Sequence, residues 1–457
     1  MKAKPIFTLL LIFLLPPYVA ADDPVKKPES KKTPEVFDLC QQQTPIRNQG
    51  GRDTCPYFPP VAALEAAYKR AGIAVNLSVE HLIWNRNVMS SSDKNSRDVA
   101  EDLISTLGGG GGMGVLQQYA VCRAEEMPYR GSIQYPKNSG LEKYDWSKPF
   151  SQMALNLWNL DPANLPAAAR TDAKYAIEKF DSIPAHDLRN SAKFEEILYS
   201  GHEIVFSMNI HANSNDLAAK GQPVWRLKPN TRGDSVNHFM LMVGYDRARK
   251  FFVVKNQWGP TNYTAQQGKL AEGWKDIIKY DGFTLVDYNY LATFSEAHYI
   301  TEVAPVGSRR FIPQRAIGQW EVTFKKEGKK VNSGVLCWRH PPISAEGKQK
   351  ADLRLGELVL ANGEQYRVNG KLDGDGSKPY QISLHVDFSK GTLPLDSTAG
   401  ATWKGTLHLP DNGKATMHLK PHGGAKEKVG DGDTNELEID AKLVLDQNLL
   451  REIGEHK

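Results

Sequence analysis

The rhythm of apolar and polar positions changes several times along the chain. Residues 6–15 are apolar except for Thr8; Lys2 and Lys4 precede them, and Pro16-Pro17 stops the run. Ten residues are too few to span a bilayer. With the small residues Val19-Ala20-Ala21 behind it, the stretch 1–21 reads as a secretory signal peptide, leaving Asp22 as the new N-terminus. Residues 22–38 are rich in Pro, Lys and acids with little to bury, and read as a disordered lead-in. From 39 to about 303, helical and strand rhythms mix. The run 61–68 (Val-Ala-Ala-Leu-Glu-Ala-Ala-Tyr) is helix-prone, and 239–243 and 251–254 are strand-like. From about 308 onward only short alternating runs remain, at 319–324, 334–338, 357–360, 381–386, 402–409, 415–419 and 436–445. Asp411-Asn412-Gly413 is a hairpin turn between two of them. Seven or more strands in this space predict an all-β sandwich or barrel over 308–457. The stretch 303–308 reads as the linker to it.

Composition adds exclusions. The 457 residues have room for two or three domains, and 40% hydrophobic with 24% charged residues is ordinary for a globular chain. A net charge of +4, about +2 without the leader, gives no reason to expect nucleic acid or an anionic membrane as partner. Four cysteines are too sparse for a disulfide scaffold. The 12 histidines form no HExxH pattern. Asp373-Gly374-Asp375-Gly376 has Leu384 where a calcium loop needs its bidentate glutamate, so it and Asp431-Gly432-Asp433 read as turns. No catalytic metal and no cofactor are expected. The expected location is exported, periplasmic or secreted, with no stable membrane insertion after cleavage.

Four segments carry chemistry. Asn48-Gln49-Gly50 leads to Cys55, ahead of the helix-prone run. Leu77-Ser78 to Leu82 follows. Asn237-His238 opens one strand-like stretch, which ends in Val243-Gly244-Tyr245. Lys255-Asn256-Gln257-Trp258-Gly259 closes the next. A thiol attacks a carbonyl only as thiolate, so a base must take its proton and a third group must orient that base. Cys55 before a helix gains from its dipole. Two antiparallel strands joined by a turn near 246–250 would bring His238 to Asn256. Gln49 stands where a side-chain amide could donate to a developing oxyanion, beside the Cys55 N–H.

In these residues the chain resembles the papain-like cysteine peptidases, over about 40–300. Gln49 lies six positions before Cys55, as that family's oxyanion glutamine does. Asn237-His238 is similar to its histidine motif, and Lys255 to Gly259 to its asparagine motif, with Trp258 the shielding indole. Gly110-Gly111 resembles the glycine pair lining the substrate cleft. Phe194 to Leu198, then Gly201 and Val205, resembles the helix-to-strand entry into the second lobe. The order Cys, His, Asn separates the chain from caspase-like and transglutaminase-like enzymes. The resemblance implies an α+β fold: a two-lobed papain-like catalytic domain over 39–303, followed by the all-β sandwich or barrel. It implies catalytic Cys55, His238, Asn256 and Gln49, substrate-binding Gly110, Gly111 and Trp258, and a protein or peptide substrate. The expected activity is that of an exported endopeptidase working through an acyl-enzyme. The alternatives are an inactive papain-like binding scaffold and a thiol amidase or acyltransferase on a non-protein substrate.

Departures from the family pattern also carry expectations. His238 follows Cys55 by 183 residues, against roughly 130–150 in the family, so extra chain is expected at about 131–180. It is a candidate cover for the cleft, because only a short stretch precedes the domain and no helical propeptide is expected. Pro56 replaces the family's tryptophan, and Pro59 and Pro60 would fall inside a helix that began at Cys55, where proline is unfavourable. Either the helix begins later or its first turn is irregular. Arg52 stands where the family has a cysteine, which points to its bacterial branch. Cys122 reads as core on a helical pattern. Cys40 and Cys337 are ambiguous, and no disulfide is assigned. Trp320, Trp338 and Trp403 read as core more readily than as sugar platforms, so surface or carbohydrate contact through the C-terminal domain is an open partner class.

Overall fold

The computed structural model describes residues 33–50, 54–90, 109–130, 165–211, 224–225, 227, 235–259, 283–338, 352–361, 365–374, 377–387, 401–410, 414–424, 428–429, 432–433 and 437–444. The expected signal peptide, Arg52 and the turn expected at 411–413 lie outside them. Residues 35–457 form one compact unit.

A helical lobe comes first. Helices α1 (Phe58–Arg70), α2 (Val79–Ser90) and α3 (Gly109–Gln118) enclose a core that includes Val61, Leu64, Tyr68, Leu82, Trp84, Met113 and Leu116. Ser78 caps α2, its hydroxyl accepting the His81 N–H at 3.0 Å. The short helix α4 (Ala167–Thr171) follows. Of the stretch expected to hold extra chain, 131–164 lies outside the described residues. From 165 on the chain is packed, with Leu165, Ala169, Ala176 and Ile177 buried.

The second lobe is an eight-stranded sheet. Its strands are β1 (Val36–Asp38), β2 (Ile177–Ser182), β3 (Ile204–His211), β4 (Val224–Trp225), β5 (Ser235–Asp246), β6 (Phe251–Lys255), β7 (Phe283–Asp287) and β8 (Phe294–Val303). The order is β2-β8-β3-β5-β6-β7-β4, with β1 on β5. Among the described residues of this sheet, only β4 and β7 run parallel. Helix α5 (Ser191–Tyr199) covers it; Phe194 and Leu198 join Phe206, Met240 and Phe252 in a second core.

Strand β1 corrects the expectation that 22–38 is disordered throughout, because Val36–Asp38 pairs with Gly244 to Asp246. The stretch is short, but Phe37 packs on Tyr199 and Tyr245, and Gly244 lets the chain in. A Cβ on Gly244 would stand 2.6 Å from the Phe37 carbonyl oxygen.

The C-terminal third is a closed barrel, so of the two expected forms the sandwich drops out. Strands β9 (Gly318–Lys326), β10 (Lys329–Trp338), β11 (Asp352–Leu360), β12 (Gln365–Asp373), β13 (Tyr380–Asp387), β14 (Ala401–His408) and β15 (Thr416–Gly424) pair antiparallel in sequence order. A small hairpin, β16 (Lys428–Val429) with β17 (Gly432–Asp433), precedes β18 (Glu438–Val444), which closes on β9. Eight strands leave an interior that side chains can fill. Trp320, Val322 and Phe324 point inward from β9 while Glu321 and Lys325 face out. Trp320, Trp338 and Trp403 are fully buried. The Trp320 and Trp403 N–H groups donate to Ala316 O (2.8 Å) and Leu437 O (2.7 Å). All three indoles are core.

The junction at 303–308 is anchored at both ends. Ala304 N donates to Ala176 O and Gly307 N to Lys174 O, each at 3.0 Å. Just beyond, the Gln314 amide donates to Ala120 O (3.0 Å) and accepts from Ala120 N (2.8 Å). Arg310 pairs with Glu178 at 2.9 Å. Phe311 packs among Ala120, Ala173, Ala176 and Ala304. Buried backbone groups need partners, and here Gln314 serves both groups of Ala120, whose carbonyl also accepts from the Asn85 amide at 3.1 Å.

Candidate active site

Cys55 heads a single 3-10 turn, Cys55–Tyr57, and α1 begins only at Phe58. This settles the proline question. Pro59 and Pro60 fall in the first helical turn, whose N–H groups have no intrahelical partner, so no hydrogen bond is lost. The turn lies against α1, α3 and β5, and its thiol is half-buried. No disulfide joins Cys40, Cys55 or Cys122. Burial pushes the Cys40 and Cys122 thiols up, the nearby carboxylates of Asp38 and Asp172 adding to it, which makes both poor nucleophiles. Cys122 is core, but it is not helical. Helix α3 stops at Gln118, Val121 bridges Tyr175, and the Cys122 N–H donates to His81 Nδ1 at 3.2 Å.

His238 lies on β5, and Asn256 directly follows β6. The strands are antiparallel, turned by 247–250, and their last registered pair on this side is Leu241 with Lys255. One step on, Asn256 faces Met240, and His238 lies two residues further along the same face, within diagonal cross-strand reach. His238 Nε2 donates to Asn256 Oδ1 at 2.9 Å. That oxygen also accepts the Gln257 N–H at 2.9 Å, which fixes the amide's orientation. With its proton on Nε2, the neutral ring keeps Nδ1 as the nitrogen able to accept a proton. Trp258 lies over the imidazole, ring centroids 4.8 Å apart, with Trp225 behind it at 5.7 Å. His238 is 4% exposed. Burial holds its imidazole down to about 4, the bond to Asn256 opposing. An imidazolium here needs a compensating negative charge, which a thiolate would supply.

Residues 47–49 run antiparallel to 257–259. Gly259 N donates to Arg47 O (3.0 Å), Asn48 bridges Trp258, and Gln49 N donates to Gln257 O (2.8 Å). The segment carrying the glutamine and the segment carrying the asparagine are thus one short ribbon. Gly259 is at φ +86°, with the Asn48 side chain 3.3 Å from where a Cβ would be. Its conformation and that contact both favour glycine. Gln49 itself is buried. Gly110 and Gly111 lie in the first turn of α3.

A buried polar cluster beneath the site was not singled out from the sequence. Glu65, 1% exposed on α1, accepts from Thr44, Arg47 and, at 2.6 Å, the Leu77 N–H. Lys255 donates to Thr44 O at 2.7 Å. Burial pulls its ammonium down to about 8, with Glu65 opposing and Arg47 reinforcing. These groups and Asn256 line a cavity of about 20 Å³, room for one water. A signal existed, since Glu65 is a lone charge in an otherwise apolar run.

The description "Papain family cysteine protease" belongs to a family model that matches residues 33–270. The chain belongs to the papain family of cysteine proteases. Among solved structures it is similar to xylellain, a cysteine protease from Xylella fastidiosa, at 18% identity, over 60% of this chain and 87% of that one, with a TM-score of 0.42. It is similar to the bromelain protease from Ananas comosus, in complex with the E64 inhibitor, at 16% identity, over 59% and 99%, with a TM-score of 0.35. No curated protein matches it. The two-lobed α+β papain-like fold followed by an all-β region, expected from the motifs, is the fold of the chain. In this papain-family chain, His238, Asn256 and Gln49 come together through the β5/β6 strand pair and the 47–49 ribbon, and the Cys55 turn lies against β5.

Proposed function

We propose that the chain is an exported cysteine endopeptidase acting through Cys55, His238, Asn256 and Gln49. The observation that carries this reading is the 2.9 Å bond from His238 Nε2, on the strand that lies against the Cys55 turn, to Asn256 Oδ1 directly after β6. His238 Nδ1 takes the Cys55 proton, and the thiolate attacks the scissile carbonyl. The new oxyanion is held by the Gln49 amide and the Cys55 N–H. The imidazolium then gives its proton to the leaving amine, and a thioester acyl-enzyme remains. Water, its proton taken by His238, attacks the thioester, and the acid product leaves with the thiol restored. Asn256 keeps the imidazole turned throughout. The substrate class is protein or peptide, as the family supports. Export rests on the leader-like residues 1–21, and a bacterial origin on Arg52 in place of the family's cysteine.

The test is covalent labelling of the reduced protein, residues 22–457, with a peptidyl epoxide, the adduct mapped by mass. Rapid single labelling at Cys55, lost in Cys55→Ala and slowed in His238→Ala, is the expected result. Labelling no faster than at an ordinary exposed thiol overturns the reading in favour of an inactive scaffold. Rapid labelling without hydrolysis of any peptide in a broad library, but with turnover of small amides, points to a non-protein substrate. The N-terminal mass of the secreted product tests the cleavage before Asp22.

A further inference from the structure

We propose that Tyr129 is a positioning residue of the oxyanion site, acting through Gln49; the proposal rests on the peptidase reading above. The Tyr129 hydroxyl donates to the Gln49 carbonyl oxygen at 2.8 Å. It also lies 2.6 Å from the Thr54 hydroxyl. A phenol has one proton. Because it goes to Gln49, the Thr54 hydroxyl is the donor in the second bond. The result is a directed chain, Thr54 O–H to Tyr129 O–H to Gln49 C=O, in which each bond polarises the next. It joins the residue just before the nucleophile to the glutamine six positions before it.

Gln49 is therefore held from two sides. Its N–H is fixed by the Gln257 carbonyl at 2.8 Å, from the segment that carries Asn256. Its carbonyl is fixed by Tyr129, from the helical lobe. The side-chain amide springs from the Cα between these two clamps. A donor gains its value in an oxyanion site by being in place before charge develops. Tyr129 is itself held. Its ring meets Phe58 edge-on, centroids 4.9 Å apart. The chain on either side is tied to the start of α2: Ser78 Oγ donates to Met127 O (2.6 Å) and Arg130 N donates to Glu80 (3.2 Å). The hydroxyl is thus aimed by a fixed frame, and its removal leaves the ring contact intact.

The experiment compares Tyr129→Phe with the wild type in two reactions. Hydrolysis of a peptidyl aminomethylcoumarin amide passes through an oxyanion; alkylation of Cys55 by iodoacetamide does not. The expected result is a fall in kcat of about tenfold with KM changed less than about twofold, a fraction of what losing a whole oxyanion donor costs. The alkylation rate should stay within about twofold. Thr54→Val should lower kcat in the same direction by less. In a Gln49→Ala background, Tyr129→Phe should cost under about twofold, as expected of residues acting in series. An equal loss in both backgrounds, or an unchanged kcat in an active enzyme, overturns the proposal and leaves the peptidase reading standing. So does an equal loss in alkylation, because Tyr129 would then act on the thiol. A wild type whose Cys55 is no more reactive than an ordinary thiol overturns the peptidase reading and this proposal together.

Discussion

The papain-like part and the barrel bury different things. Beneath and around the candidate site the helical and sheet lobes enclose Glu65, Lys255, His81, His238, Asn256 and Glu203, each with a polar partner. The described core of the barrel is built from apolar and aromatic side chains, and the buried indole N–H groups of Trp320 and Trp403 each donate to a carbonyl. Buried polar groups cost stability unless satisfied, and they are kept where orientation or charge is useful. The candidate site lies where that cost is borne. The barrel core is filled by apolar side chains instead.

The sharpest way to break that contrast is to exchange the outcomes of mutation. Cys55→Ala should remove peptide hydrolysis by about 10³-fold or more, with the thermal midpoint unchanged. Trp338→Ala removes a fully buried indole and should cost about 3–5 kcal/mol in urea unfolding, while the surviving folded fraction alkylates at Cys55 at the wild-type rate. A loss of intrinsic Cys55 reactivity in Trp338→Ala would show that the barrel belongs to the site.

The two parts meet at Gln314, which gives the second-largest effect. Gln314→Ala leaves the buried Ala120 N–H without its side-chain partner, while Ala120 O keeps the Asn85 amide at 3.1 Å. An orphaned buried group costs about 1–3 kcal/mol, so a loss of about 1–3 kcal/mol is expected, read from the urea midpoint. If the midpoint does not move, the junction is ornamental and the barrel is a tethered module.

The same contrast explains what was legible in the sequence. The candidate residues could be picked out because the proposed chemistry needs fixed residue types in fixed order: Gln49, Cys55, His238 and Asn256 stand in short motifs. Tyr129 could not be read, because nothing local marks a tyrosine that reaches a carbonyl 80 positions away. The strand Val36–Asp38 was hidden in a polar stretch, and its partner's Gly244 makes room for it only in three dimensions. In the barrel, alternation marked most strands but not β12, where Gly370 sits on the face that Val368 and Leu372 present to the core. Closure was invisible as well. A barrel strand and a sandwich strand alternate alike, and only the pairing of β18 with β9 tells them apart.

Titration separates the two parts more gently. Burial holds His81 down to about 3, with Arg170 adding to it, and His238 down to about 4. The unfolded chain protonates both near 6.5. Between 6.5 and 4 the unfolded state therefore binds protons that the folded state does not, and stability falls as pH falls, by at most about 1.4 kcal/mol per pH unit for each histidine. His81→Gln keeps an acceptor for the Cys122 N–H and should flatten this acid limb. An unchanged slope would mean that His81 is protonated in the fold.

The smallest effect belongs to the barrel's outer face. Asp440 takes Lys325 at 2.5 Å and His418 at 2.6 Å. The bonds from Lys325 and then His418 hold its carboxyl below the ordinary 3.8. The sign is the same as for the histidines, since the folded value again lies below the unfolded one, but the window is more acidic. The contribution is complete above 3.8 and disappears as the pH falls through the lowered value. The group is largely exposed, so solvent and salt screen the pairs, and Asp440→Asn should cost only about 0.2–1 kcal/mol at neutral pH and low salt. That cost should shrink in 1 M salt, where the Debye length is about 3 Å, and disappear as the pH falls through the lowered carboxyl value. Lowering the pH to 5 then loosens the papain-like part through its buried imidazoles while the barrel's outer pairs remain intact. A barrel-specific probe, the fluorescence of Trp320, Trp338 and Trp403 isolated by replacing the other tryptophans, should report no change at pH 5 in the native state. If Asp440→Asn costs several kcal/mol, or persists undiminished in salt, the barrel carries a polar determinant of its own and the contrast between the two regions fails.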